Sequence, residues 1–194
     1  MPHVCYIRRV VVHTLGHSTL TLEDFLDLLE THQLDAIADV RRYPASRRHP
    51  HFAREALAAS LAPRGVAYAW LPALGGRRDA RPDSPHVAWR NTQFRGYADH
   101  MDSAEFRDGL VALLGLAEGH RAAIMCAEAV PWRCHRQLVA DTLVARGVEV
   151  LHVTGRGKAE RHRLTPFARM DGDHIVYDRG VPGTLASRSR SDRP

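Results

Sequence analysis

The sequence predicts an α/β fold: a three-layer, mostly parallel five-stranded Rossmann-like sheet with helices on both faces. Three observations carry this. Short apolar runs rich in β-branched residues alternate with segments of helical periodicity from Val10 to Val153. The stretches between them are long enough for right-handed crossovers rather than hairpins. The 194 residues include 44% hydrophobic and 25% charged side chains, ordinary for a folded domain.

The elements follow in order. "VVVHTL" (10–15) reads as a buried strand. "TLEDFLDLLE" has Leu22, Phe25, Leu26 and Leu29 at helical spacing, with Thr21 and Asp24 placed as a capping box. "LDAIADV" (34–40) is a second strand, and "RRYPASRRHPHF" a basic loop. "AREALAASLAPRG" is a short helix closed by Pro63 and Gly65, and "VAYAWLPALGG" (66–76) begins as a third strand. Residues 77–92 have no regular pattern. "YADHMDSAEFRDGLVALLGLAEG" reads as one helix, "RAAIMC" as the fourth strand, and "WRCHRQLVADTLVARG" as a helix with Gly147 at C′. "VEVLHV" is the fifth strand. The region from Thr154 is weakly patterned, with one short element in "RLTPFARMDGDHIVYD". One domain is expected over 1–180, with 181–194 a disordered basic tail.

Formal charge is +5 and pI about 9.6. The excess is almost all arginine, which makes forked contacts with phosphates and carboxylates but is also what a GC-rich genome supplies. No run is long enough for a membrane span, and the start has no signal-peptide h-region, so the expected location is cytoplasmic, with no membrane partner. Three cysteines, Cys5, Cys126 and Cys134, suit free thiols, ligands or catalysts better than bridges in such a compartment.

In a parallel sheet, ligands bind beyond the carboxyl ends of the strands. Gly16-His17-Ser18-Thr19 follows the first strand, Asp39 and Arg41 end the second, and Cys126 and Glu128 follow the fourth. With a strand order of 3-2-1-4-5, these turns meet at one crevice. Arg133, His135 and Arg136 then open a helix, the wrong end of the dipole for cations unless an anion sits beside them. The same surroundings would depress the pKa of Cys134 or Cys126.

At these residues the chain resembles the proteins catalogued as domain of unknown function 488 (DUF488). The segments are "TLGHST" (14–19), "DVRRYPASRR" (39–48), "LGG" (74–76) and "CAEAVPWRCHR" (126–136). The resemblance implies an α/β domain whose marked residues are His17, Ser18, Asp39, Arg41, Pro44, Ser46, Cys126, Glu128, Cys134, His135 and Arg136. It implies no reaction.

The chemistry leads to an enzyme, a hydrolase or group transferase, for a small anionic substrate such as a nucleotide or sugar phosphate. Arg41, Arg133 and Arg136, with Ser18 and Ser46, would hold the anion. Glu128 or Asp39 would act as base, and His17 or His135 would move a proton. Neither a Walker A pattern nor a dinucleotide fingerprint is present, and the cofactor stays open. One alternative is thiol chemistry at Cys126 or Cys134, of the cysteine-phosphatase or sulfur-transfer kind. Another is zinc on Cys126, Glu128, Cys134 and His135, opposed because neighbouring residues of a helix point about 100° apart; no metal is therefore expected. A third is a non-enzymatic nucleic-acid binder, its arginines between Arg41 and Arg54 interleaved with Tyr43 and Phe52.

Overall fold

The computed structural model describes residues 10–45 and 47–178. Cys5, Ser46 and the expected tail lie outside them. The elements are β1 Val11–Gly16, α1 Leu22–Thr31, β2 Ala36–Asp39, α2 Arg54–Leu61, β3 Ala67–Trp70, α3 Thr92–His100, α4 Ala104–Gly119, β4 Ala122–Cys126, α5 Arg136–Ala145, β5 Glu149–His152, β6 Glu160–Arg161, β7 Arg169–Asp171 and β8 His174–Val176. The protein is α/β. Its central sheet has six strands in the order β3-β2-β4-β1-β5-β6. All pairs are parallel except β5 with the short β6. None of the helices in the described residues is long and apolar enough to cross a membrane.

The strand side chains alternate between two apolar clusters, as period two requires. Val12, Ala36, Ala38, Ala122 and Ile124 meet Tyr97, Phe106, Leu110, Leu113, Leu138 and Val139 from α3, α4 and α5. Leu15, Ile37, Ala123 and Met125 meet Phe25, Leu26, Leu29, Leu57 and Leu61 from α1 and α2. The cap of α1 forms as the sequence implies: the Thr21 hydroxyl accepts from the Asp24 amide at 3.1 Å. Gly147 takes φ 79° just beyond α5.

Four expectations change. The order is not 3-2-1-4-5, because β4 lies between β1 and β2; periodicity encodes a strand but not its neighbours. The expected single helix around residue 100 is two, because the Ser103 hydroxyl accepts from the Phe106 amide at 3.1 Å and restarts the chain as α4. The last long helix begins at Arg136 rather than near Trp132, since Pro131–Arg133 form a separate 3-10 turn and Cys134 is extended. The weakly patterned region supplies β6 and the β7–β8 hairpin.

That region is held by a polar chain. Asp141 of α5 accepts from the Thr165 amide, the Thr165 hydroxyl and the Tyr177 hydroxyl at 2.8, 2.7 and 2.8 Å. It also meets His162 Nε2 at 2.9 Å. A carboxylate only accepts, so Nε2 carries that proton. His162 Nδ1 then accepts from His152 Nε2 at 2.9 Å, and His152 Nδ1 from the Thr14 hydroxyl at 2.8 Å.

Candidate functional site

Inserting β4 between β1 and β2 puts its carboxyl end at the centre of the crevice. Past the strands, the His17 amide donates to Cys126 O and the Ser18 amide to Ala127 O, both at 3.0 Å, while the Val40 amide donates to Met125 O at 3.0 Å. The turn after β4 is therefore stitched to both neighbours. Gly16 permits this approach, since a Cβ there would lie 1.8 Å from the Glu128 carbonyl oxygen.

A cavity of about 1140 Å³ opens at this edge, just above the roughly 300–1,000 Å³ usual for small-molecule sites. His17, Ser18, Arg41, Cys126, Glu128, Arg133, Cys134 and His135 all line it. Arg42, Arg47, Arg48 and Arg77 add to its basic wall. The Glu128 carboxylate has no hydrogen-bond or ion-pair partner among the described residues.

Asp39 and Arg136 do not line the cavity. Asp39 is fully buried and holds Arg41: Nε reaches Oδ1 at 2.8 Å and Nη2 reaches Oδ2 at 2.5 Å. The Tyr68 hydroxyl adds a bond to Oδ2 at 2.6 Å, and burial with this neighbour pushes the phenol up. Asp39 thus positions Arg41 and has no open lone pair of the kind a base needs. Arg136 is fully buried. Its Nη2 donates to the carbonyls of Glu128 and Ala129, and its Nε reaches Cys134 Sγ at 3.4 Å. It shapes the turn instead of holding an anion, because it is fully buried, with Nη2 on two backbone carbonyls and Nε on Cys134 Sγ.

His17 is neutral. Its Nδ1–H donates to Ser18 O at 3.1 Å, so the Nε2 lone pair faces Arg41 Nη1 at 3.4 Å. Burial and then the Arg41 charge lower its pKa to about 4. His152 and His13 are lowered to about 4 as well, chiefly by burial. Each is neutral in the fold but takes a proton on unfolding below about 6.5, so the unfolded chain binds more protons there. Stability is then fully present above pH 6.5 and falls as pH drops toward 4. The urea midpoint is expected to fall between pH 6.5 and 5, above the carboxylate range; a flat midpoint across that window would contradict these assignments.

Cys134 is buried and Cys126 only partly so, and both are free thiols. The Cys126 and Cys134 sulfurs and a His135 ring nitrogen lie within 4.8 Å of one another. The pKa of Cys134 is lowered, first by Cys126 and then by His135, while that of Cys126 is raised by Cys134 and by burial. The objection that Cys134 and His135 diverge by a helical step fails, because neither lies inside the helix. Cys134 is extended (φ −132°, ψ 149°), and its Sγ is 3.6 Å from His135 Nδ1.

The basic loop divides. Phe52, a base-stacking ring in the nucleic-acid alternative, is fully buried and stacks with His17 at 4.2 Å. Arg54 lies over the Trp70 ring at 4.4 Å. Tyr43 is exposed. Residues 76–97 supply a wall that sequence reasoning missed, through Gly76, Arg77, Asn91, Gln93 and Tyr97. Irregular sequence gave no periodic signal there. Backbone strain does give one: Ser18 (φ 45°) and Arg77 (φ 60°) are two of three non-glycine residues with positive φ among those described, and both line the cavity.

No curated protein and no solved structure matches the chain. The family model described as "Domain of unknown function DUF488" matches residues 21–143, which include β2, β4, both thiols and His135, and the chain belongs to that family.

Proposed function

We propose that the protein is an enzyme, a hydrolase or group transferase, acting on a small anionic molecule such as a nucleotide or sugar phosphate. The observation that carries this is the cavity at the carboxyl ends of β1, β2 and β4. Its wall is rich in arginine, and the thiols, His135 and the Glu128 carboxylate, unpartnered among the described residues, also line it. The two apolar clusters on alternate strand faces support a three-layer, Rossmann-like single domain, and such sheets place ligands at this edge.

Arg133, exposed and lining the cavity, takes the anion in this reading, together with Arg42, Arg47 and Arg48, which also line it. Arg41 presents only Nη1, since Asp39 holds the rest of its fork. Glu128 acts as base, and His17, being neutral, offers an acceptor rather than a charge.

A second reading, single-stranded nucleic-acid binding, has exposed Tyr43 and Trp132 in its favour, while burial of Phe52 removes one of its stacking rings. Calorimetric titration with nucleoside monophosphates, sugar phosphates and oligonucleotides separates the two. Saturable binding of a mononucleotide or sugar phosphate is expected, weakened by Arg133→Ala by about 1.5–3 kcal/mol, the scale of a charged hydrogen bond. Binding of oligonucleotides alone, with steep loss in salt, would replace the enzyme reading with the second. Equal affinity for Arg133→Ala and the parent would remove the anion assignment.

A further inference from the structure

We propose that Cys126, Cys134 and His135 form a zinc site whose fourth position opens into the cavity. Two thiolates and one imidazole are a soft, mixed donor set suited to a d10 divalent ion. A three-ligand set is the pattern of sites that keep a place for water or substrate. The inference goes beyond the anion reading and does not depend on it.

The geometry carries it. With Zn–S of ~2.3 Å and Zn–N of ~2.05 Å in a tetrahedron, ligand atoms lie roughly 3.5–3.8 Å apart. Cys134 Sγ and His135 Nδ1 are 3.6 Å apart, and all three donor atoms fall within 4.8 Å of one another. His135 is oriented as a ligand is: its Nε2–H donates to Val40 O at 3.1 Å, which turns Nδ1 toward the sulfurs, where a bound ion would replace any proton on it. Cys134 Sγ has a supporting donor in Arg136 Nε at 3.4 Å.

Space is kept beside the nitrogen as well. A Cβ on Gly76 would lie 2.7 Å from His135 Nδ1, so only glycine leaves this flank clear. The chain order explains how adjacent residues converge. Cys134 is extended and His135 turns into the helix, so the two side chains point to one spot, beside the Cys126 end of β4.

Reduced, chelator-treated full-length protein would be titrated with zinc against a chromophoric competitor. Alkylation of each cysteine would be followed by peptide mass. One zinc per chain is expected, protecting Cys126 and Cys134 but not Cys5. Cobalt should give thiolate charge-transfer absorption. Cys134→Ser should weaken zinc by more than the roughly 10–100-fold typical of changes in surrounding partners. Gly76→Ala, which deletes no ligand but crowds His135 Nδ1, should weaken it too, with circular dichroism confirming that both variants fold. No one-to-one zinc binding to the parent, equal affinity in folded Cys134→Ser, or protection of Cys5 alone would overturn the proposal. So would a Cys126–Cys134 disulfide on mild oxidation in a protein whose reduced form binds no zinc. Zinc binding without affinity for any phosphate would uphold the site and remove the anion reading; the reverse would do the opposite.

Discussion

Asp39→Ala is expected to destabilise the protein by about 3–5 kcal/mol, the cost of leaving one half of a buried ion pair without its partner. Arg41 is 6% exposed and Asp39 fully buried. The carboxylate accepts from Arg41 Nε, Nη2 and backbone N–H, and from the Tyr68 hydroxyl, so alanine strands four donors at once. The urea midpoint measures the loss. Asp39→Ala with Arg41→Met should recover most of it, because an apolar side chain of similar volume leaves no buried charge. That double variant should still bind a phosphate ligand less well, since Arg41 Nη1 borders the cavity. A single variant as stable as the parent would mean that Arg41 escapes to water when released.

Asp141→Ala should cost a comparable amount, about 3–5 kcal/mol, and the loss should be local in its first stage. Four groups lose their acceptor: His162 Nε2, the Thr165 amide and hydroxyl, and the Tyr177 hydroxyl. Each stranded buried donor costs about 1–3 kcal/mol, with the lower figure applying where water can enter. All four belong to the segment after β5, so amide exchange there should accelerate before exchange in β1, β2 and β4 does. Uniform acceleration over the whole sheet would show instead that the segment is integral to the sheet's cooperative unit.

Local pattern is what the sequence determined by itself. The five central strands, α1 with its Thr21 cap, α2 ending near Gly65 and Gly147 beyond α5 all follow from side-chain period and turn chemistry within a few neighbouring residues. The clustering of His17, Cys126, Glu128, Cys134 and His135 also came through, because parallel strands must place their following turns on one edge. Contact between elements distant in sequence was decided only by the tertiary structure. The position of β4 between β1 and β2, the enclosure of Asp39 and Arg136, the burial of Phe52 and the wall built from residues 76–97 depend on such contacts. The convergence of Cys134 with His135 is a subtler case: one extended residue before a helix turns diverging neighbours into converging ones. Composition cannot register that, because the backbone conformation of one residue, Cys134 at φ −132° and ψ 149°, separates the two outcomes.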